Sequence, residues 1–298
     1  MNLLGKINKP LIIVNLEANE KRAFYHWKKT GAHLRKHGIE SDVEFTNNRL
    51  DSVNLVKKDK KHKIILSYSG DGGMNAVLEG AMQNDSDKII GTIPGGTAND
   101  ISKIFNITNP KKLYSALLNE TSRLVDVGEV NGKYFLAHAS IGFDALVLHE
   151  RNKRRFLKGK LAYYPAVFRA LSKYKSRWMQ IKTDDEKTER ETFMAVVSNI
   201  PYYADGMEIA PKAKTDDHLL DLCLIEGKSG LGLLLHSLSF LYSQHHLDNS
   251  LVYYCQTKKL EISSPEPVFL QADGDIICEN NYFKFGLAGR KIHMLCCD

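Results

Sequence analysis

Ser69-Gly70-Asp71-Gly72-Gly73-Met74-Asn75 and Pro94-Gly95-Gly96-Thr97-Ala98-Asn99-Asp100 are the two stretches that decide the fold. Each follows a short apolar run, at residues 64–66 and 89–93, and each precedes a segment that can be helical. A strand, a glycine turn and a helix in succession direct backbone N–H groups and a helix N-terminus toward a phosphate. Two such loops, each carrying an acid, predict a site for a polyphosphate and the metal ion that accompanies it.

The glycine loops do not match other common phosphate-binding motifs. No Gly-Lys-Ser/Thr follows the glycines, so neither loop is a Walker loop, and neither has the spacing G-x-G-x-x-G of dinucleotide-binding folds. No protein-kinase catalytic loop is present. A single glycine turn after a strand is most often only a turn, but two in succession favour phosphate binding.

Composition limits the class of protein. The length of 298 residues suits two compact domains or one large one, and 43% of the residues are hydrophobic, which is enough for apolar cores. The net charge of +6 is below that of a nucleic-acid coat. The five cysteines are odd in number and include no C-x-x-C pair, which argues against a disulfide framework or a zinc site and predicts a reducing cytoplasm. No stretch reaches the roughly 18 apolar residues of a spanning helix, so we expect any membrane contact to be peripheral.

The hydrophobic pattern changes near residue 128. Residues 10–127 alternate apolar strands with amphipathic helices, including helices predicted over 20–37, 53–61, 75–83, 98–105 and 110–119. Strand-like runs dominate afterwards, among them 134–140, 192–199, 219–226, 258–263 and 268–272, with helical stretches near 160–174 and 231–242. The pattern predicts an α/β domain over 1–127 with a parallel sheet, and a mostly antiparallel β domain over 128–298 whose last residues can pack back on the first. Ligands are expected beyond the carboxyl ends of the parallel strands.

The two loops resemble those of the diacylglycerol kinase catalytic domain family. This family includes bacterial lipid kinases and sphingosine kinases, and its loops are related to those of NAD kinases. The resemblance covers nearly the whole chain, because further blocks follow in the family's order: Asp126-Val127-Gly128, Ser140-Ile141-Gly142-Phe143-Asp144, Met207-Glu208-Ile209-Ala210-Pro211, Asp217-His218-Leu219-Leu220-Asp221 and Gln271-Ala272-Asp273-Gly274-Asp275. It implies an NAD kinase-like α/β domain, a β-sandwich lipid-substrate domain, and an active site in the cleft between them.

The activity that the resemblance implies is an ATP- and Mg²⁺-dependent transfer of the γ-phosphoryl group to a lipid hydroxyl. Diacylglycerol or a related lipid is the expected acceptor. A sphingoid-base, ceramide or phosphatidylglycerol kinase stays open, as does a catalytically weak homologue that only binds nucleotide or lipid.

The same resemblance implies the site residues. Asp71, Asp100 and Asp275 would be the catalytic acids and would hold the nucleotide's Mg²⁺, with Asp71 positioning or deprotonating the hydroxyl. Helix capping is the structural alternative for Asp71 and Asp100, and a turn is the alternative for Asp275. A structural Mg²⁺ would lie in the loop 214–219. The expected nucleotide contacts are the backbone of Gly70, Gly72, Gly73, Gly95, Gly96 and Thr97, together with Asn15, Thr46, Ser69, Asn75 and Asn99, and the structural Mg²⁺ would use Asp216, Asp217 and Leu219.

The chain departs from the family pattern at several positions. Of the family's Asn-Pro-x-Ser-Gly only Asn15 remains, and Gly73 and Ala76 replace a Thr and a Glu. Asp275 replaces a Glu, which shortens the acid by one methylene, and His218 replaces a Gly.

A basic run follows the first half of the chain. Residues 151–160 contain six cations and no acid: Arg151, Lys153, Arg154, Arg155, Lys158 and Lys160. Basic runs are usually solvated faces, but each cation near an anionic bilayer adds about 1 kcal/mol of attraction. We therefore expect a lipid substrate and an anionic membrane surface as partners, no nucleic acid, and a cytoplasmic, peripherally membrane-associated protein. A homodimer is left open.

Overall fold

The computed structural model describes residues 8–16, 23–95, 99–153, 163–203, 206–227, 230–235 and 246–297. The chain divides into two compact units, Met1–Val125 with Arg290–Asp298, and Asp126–Gly289. The division places the last residues of the chain in the first unit.

The first unit contains a six-stranded sheet in the order β2-β1-β3-β4-β17-β5. All neighbours are parallel except β17 and β5, which are antiparallel. The central strands are buried on both faces, which is typical of a parallel sheet covered by helices. The strands are β1 Leu11–Asn15, β2 Asp42–Thr46, β3 Ile64–Ser69, β4 Ile89–Pro94, β5 Ser122–Val125 and β17 Ile292–Leu295.

Five helices alternate with these strands, so the predicted α/β class is confirmed. They are α1 Ala23–Lys36, α2 Arg49–Lys58, α3 Asp71–Met82, α4 Asp100–Ile104 and α5 Pro110–Asn119. Helix α2 begins earlier than the predicted 53 because the Asn48 side chain accepts a hydrogen bond from the Asp51 backbone N–H at 2.9 Å and caps the helix. Helix α3 begins at Asp71 rather than at residue 75, so Gly72 and Gly73 of the first loop belong to its first turn and Gly70 is its N-cap.

The second unit is an antiparallel β structure, as predicted. One sheet runs β14-β13-β10-β8-β15-β16-β6-β7, and β9 pairs with both β10 and β15. A two-stranded ladder joins β11 and β12. The strands are β6 Gly128–Val130, β7 Lys133–Phe135, β8 His138–Gly142, β9 Arg177–Lys182, β10 Lys187–Ser198, β11 Tyr202–Tyr203, β12 Met207–Glu208, β13 Leu220–Glu226, β14 Val252–Thr257, β15 Lys259–Ala272 and β16 Asp275–Leu287.

Strand β10 separates two hydrophobic cores. Ala195 and Val197 pack into a core built from strands alone, whereas Met194 and Val196 face a core that includes α6 (Phe143–Asn152) and α7 (Tyr163–Lys173). Alternate residues of a strand point to opposite faces, so this strand is apolar on both sides.

One prediction for the second unit was wrong, and one helix was missed. The strand predicted over 134–140 is interrupted between β7 and β8, because the backbone N–H groups of residues 136–138 donate to the buried Asp273 carboxylate instead of a neighbouring strand. Helix α6 was not predicted. The helix predicted near 160–174 is present as α7, and most of the one near 231–242 lies outside the described residues. No helix of the described chain is long and apolar enough to span a membrane.

Candidate active site

The two glycine loops lie side by side. They follow β3 and β4, which are neighbouring parallel strands in which Ser69 is the register partner of Pro94. The Gly95 backbone N–H donates to the Ser69 carbonyl at 3.1 Å and ties the start of the second loop to the first. Carboxyl ends of parallel strands are where open α/β sheets bind their ligands.

The Asp71 side chain connects the two loops. Its Oδ2 accepts a hydrogen bond from the Asp100 backbone N–H at 3.4 Å, and its Oδ1 accepts one from the Ile101 backbone N–H at 3.3 Å. The carboxylate therefore caps α4, which follows the other loop, and lies where two helices begin. Helix N-termini carry a partial positive charge that favours anions.

Neither predicted acid caps its own helix. The N-cap of α3 is Gly70 and that of α4 is Asn99, and no side-chain capping hydrogen bond is made by either. Asp100 is buried, and its Oδ1 lies 3.0 Å from the Lys103 ammonium. The two acids thus lie close together, because the Asp100 backbone N–H at the start of α4 donates to the Asp71 side chain.

Close packing, not a left-handed backbone, explains why residue 73 of the first loop is a glycine. Gly70 has a φ of −83°, which any residue adopts. A Cβ on Gly73 would lie 2.3 Å from the Ser69 hydroxyl oxygen and 2.5 Å from the Ser69 Cβ. The Ser69 side chain therefore leaves no room for a side chain at position 73, where the family has a Thr. The Ser69 hydroxyl lies 2.6 Å from that of Ser67.

Two further residues predicted to contact the nucleotide lie at the ends of neighbouring strands. Asn15 and Thr46 are register partners at the ends of β1 and β2. The Thr46 hydroxyl lies 2.8 Å from that of Ser52. Gly72 lies in the first turn of α3, whereas Gly96 and Thr97 lie outside the described residues.

Arg49 is a site residue that sequence reasoning missed. Its guanidinium donates to the side-chain oxygen of the buried Asn75 and pairs with Glu79 at 2.7 Å, both on α3. The predicted helix begins at residue 53, so no local pattern in the sequence marked Arg49. Arg49 supplies a positive charge beside the first glycine loop.

Asp275 belongs to the second unit and begins β16 after a two-residue turn. The turn residues Asp273 and Gly274 have φ values of 46° and 86°, the left-handed conformations that a type I′ hairpin requires. The Asp273 carboxylate accepts hydrogen bonds from the backbone N–H groups of Leu136, Ala137 and His138 at 2.8, 2.9 and 3.1 Å. The first acid of this motif is therefore a structural brace, and the role of Asp275 stays a prediction.

The loop 214–219 is held by Asp217, which belongs to it, and by Asp126, which does not. Asp217 Oδ1 accepts from the Leu219 backbone N–H at 3.1 Å, and Asp216 is exposed. His218 has a φ of 63°, the left-handed region that favours the family's glycine, and its backbone N–H donates to Asp126 at 2.9 Å. The structural Mg²⁺ predicted here also stays a prediction.

The donor set suits a metal that is shared with a ligand. Within the described part of the chain, no three His, Cys, Asp or Glu side chains converge as a metal site. Mg²⁺ in kinase sites is usually held by one or two carboxylates together with substrate phosphates. Asp71 and Asp100, connected through the start of α4, fit that arrangement.

Comparison with known proteins supports the resemblance. The model of the diacylglycerol kinase catalytic domain matches residues 9–130, and the model of the YegS C-terminal NAD kinase beta sandwich-like domain matches residues 137–282. A diacylglycerol kinase of Staphylococcus saprophyticus is 26% identical over 246 residues, which is 81% of this chain and 80% of the relative. A diacylglycerol kinase of Bacillus subtilis is 24% identical over 243 residues, which is 80% of each chain.

Solved structures show the same fold. A candidate diacylglycerol kinase from Bacillus anthracis str. Sterne matches with a TM-score of 0.76 and 21% identity over 98% of each chain. An NAD kinase from Archaeoglobus fulgidus in complex with ATP matches with a TM-score of 0.54 and 12% identity, over 97% of this chain and 94% of that one. Both family models match in sequence order along one chain, so this protein combines a diacylglycerol kinase catalytic domain with a YegS C-terminal NAD kinase beta sandwich-like domain.

Proposed function

We propose that the protein is an ATP- and Mg²⁺-dependent lipid kinase that phosphorylates a hydroxyl of diacylglycerol or a related lipid. The observation that carries the proposal is the Asp71 carboxylate, which accepts backbone N–H groups from the start of α4 and so joins the two glycine loops. The matching domain model and the names of the relatives support the lipid kinase class.

ATP would supply the phosphoryl group, and Mg²⁺ would offset the negative charge on its phosphates. The backbone amides of the glycine loops would hold the phosphates, because the starts of α3 and α4 face the same edge of the sheet. The Arg49 guanidinium, already held by Asn75 and Glu79, would add a fixed positive charge.

Asp71 would orient the lipid hydroxyl and accept its proton. Its two backbone hydrogen bonds fix the carboxylate at the loop junction, which is the positioning that phosphoryl transfer requires. Asp100 would share the Mg²⁺ with the phosphates. We propose the same role for Asp275, whose shorter side chain would reach the ion through one of the waters that Mg²⁺ commonly retains.

A kinase assay with a lipid panel tests this function. Purified protein, labelled ATP and Mg²⁺ are incubated with mixed micelles of diacylglycerol, ceramide, a sphingoid base or phosphatidylglycerol, and products are identified by mass. We expect one lipid to gain a phosphate. Asp71→Asn should remove the activity, whereas Asp85→Asn, at an exposed acid in the loop after α3, should keep it.

The outcomes separate the alternatives. No phosphorylated lipid, together with measurable nucleotide binding, would support the binding-only homologue and contradict the kinase proposal. A phosphorylated sphingoid base or ceramide would keep the kinase and change its acceptor.

We also propose that the protein contacts anionic membranes through its basic run. Arg151 lies in the last turn of α6 and Lys153 directly follows the helix. The Arg151 guanidinium lies 4.6 Å from the centre of the Tyr163 ring. Lys153 lies 3.2 Å from Glu150. The rest of the run, from Arg154 to Lys160, lies outside the described residues. Sedimentation with phosphatidylserine vesicles tests the contact: binding should fall with added salt and with substitution of Arg151, Lys153, Arg154 and Arg155 by Gln.

A further inference from the structure

A groove in the first unit has no part in the proposed kinase chemistry. It lies between α1 and the segment that joins α4 to α5, with a cavity volume of about 590 Å³. Its floor is aliphatic and almost fully buried, since Leu34, Ile93, Ile107 and Leu113 are each at most 4% exposed. A cavity of this size is within the range of about 300–1,000 Å³ that small-molecule sites occupy.

The rim of the groove is cationic. Lys29, His33 and Lys36 line it from one face of α1, at the i, i+4 and i+7 spacing of an exposed helix stripe. No Asp or Glu is among the described residues that line it. Neither lysine forms an ion pair within the part of the chain that the structure describes, so among those residues neither charge has a counter-ion.

The combination of floor and rim specifies the ligand's chemistry. The aliphatic floor suits an alkyl chain, and the cations suit a single anionic head group. Apart from His33, the described lining residues include no aromatic side chain on which a nucleotide base could stack. We propose that this groove binds a single-chain anionic amphiphile, a fatty carboxylate. The binding does not depend on the kinase proposal.

The groove adjoins the second glycine loop. Pro94 forms part of its wall and immediately precedes Gly95. Thr30, another wall residue, has its hydroxyl 3.1 Å from that of Tyr68, whose ring packs edge-on against Trp27 at 5.1 Å. An occupant would therefore change the surroundings of Trp27, which provides an optical reading of binding.

The test uses decanoate and 1-decanol, which share a chain length and differ in head-group charge. The full chain carries Trp178→Phe, which removes the other, exposed tryptophan and leaves Trp27 as the reporter. Decanoate should quench or shift Trp27 fluorescence in a saturable way, and 1-decanol should bind at least tenfold more weakly. Isothermal titration calorimetry at low ionic strength gives the same affinities without the reporter.

Matched charge reversals locate the site. Lys29→Glu with Lys36→Glu, and the control Lys28→Glu with Lys57→Glu, each lower the net charge from +6 to +2, since each substitution changes it by two. The control lysines are also exposed, and neither lines the groove. We expect the first pair to weaken decanoate binding at least tenfold and the control to stay within twofold. Ala32→Phe, which fills the groove from its exposed wall, should abolish binding.

Three results would overturn the proposal. These are equal weakening by both charge-reversal pairs, unchanged binding in the groove variants, and displacement of decanoate by ATP. If the Glu pair fails to fold, as judged by circular dichroism, Lys29→Gln with Lys36→Gln replaces it with the same expected direction.

Discussion

Asp71 and Asp273 occupy the same sequence context, an acid next to a glycine in a family motif, but the structure uses them differently. Asp273 is 1% exposed and accepts three backbone N–H groups at 2.8–3.1 Å. Asp71 is partly exposed, and its hydrogen bonds from the start of α4 are 3.3 and 3.4 Å long. Its partial exposure lets a ligand reach the Asp71 carboxylate, whereas the Asp273 carboxylate is enclosed by the fold. A motif acid thus indicates chemistry only where its carboxylate can be reached from the surface.

The largest effect should come from removing the brace. Asp273→Ala leaves three N–H groups without this acceptor, and those of Leu136 and Ala137 are buried. Each unsatisfied buried group costs about 1–3 kcal/mol. We expect the free energy of unfolding to fall by about 3–5 kcal/mol, measured by urea denaturation. Asp216→Ala, at an exposed acid of the same unit, should stay within about 0.5 kcal/mol. If Asp273→Ala is as stable as this control, Asp273 is not a structural brace and the contrast with Asp71 is wrong.

The opposite pattern is expected at Asp71. Asp71→Asn keeps one oxygen that can accept from the start of α4, so the free energy of unfolding should fall by only about 1 kcal/mol. Turnover on the lipid identified in the assay should fall by about two orders of magnitude, because a neutral amide cannot accept the hydroxyl proton. Urea denaturation and the kinase assay on one preparation give both values. Near-parental turnover would make Asp71 a helix cap alone.

Packing under the first loop should have an intermediate effect. Gly73→Ala places a methyl group against the Ser69 side chain, and such overpacking costs about 1–3 kcal/mol. Ser69→Gly removes both clashing atoms, so the double variant should recover part of the loss in a double-mutant cycle. Gly289→Ala is the control, because nothing lies within 4 Å of its added Cβ. If the losses of stability caused by the substitutions at positions 69 and 73 are additive, the contact with Ser69 does not explain why residue 73 is a glycine.

Features that depend on local patterns could be predicted from the sequence. The apolar run before the first loop and the proline that begins α5 place β3 and α5 close to their observed bounds. The brace could not be predicted, because Asp273 bonds to backbone groups more than 130 residues away. The same applies to Arg49, whose partners lie on another helix. Sequence patterns and secondary-structure propensities reflect residues that are close along the chain, whereas these contacts join residues that are distant in sequence.

The smallest effects should appear in the pH dependence of stability. The pKa of Asp42 in the first unit is lowered, whereas that of Asp144 in the second unit is raised. Hydrogen bonds from Lys61, Lys9 and His62 hold the pKa of Asp42 well below its usual range. Burial raises the pKa of Asp144, although Ser140 and Tyr203 donate hydrogen bonds to it. The stabilisation by Asp42 is therefore present above the unfolded pKa of about 4 and is lost as pH falls. The contribution of Asp144 is present at low pH and is lost as pH rises through its raised pKa.

Thermal unfolding of the parent, Asp42→Asn and Asp144→Asn between pH 3 and pH 8 distinguishes the two acids. The Tm deficit of the Asp42 variant should be largest near neutral pH and shrink toward pH 3. That of the Asp144 variant should shrink, or turn into a gain, as pH rises. Added NaCl should reduce only the first, because the lysines around Asp42 are exposed and screened by salt whereas Asp144 is enclosed. Parallel pH profiles for the two variants would show that burial and ion pairing do not separate these acids.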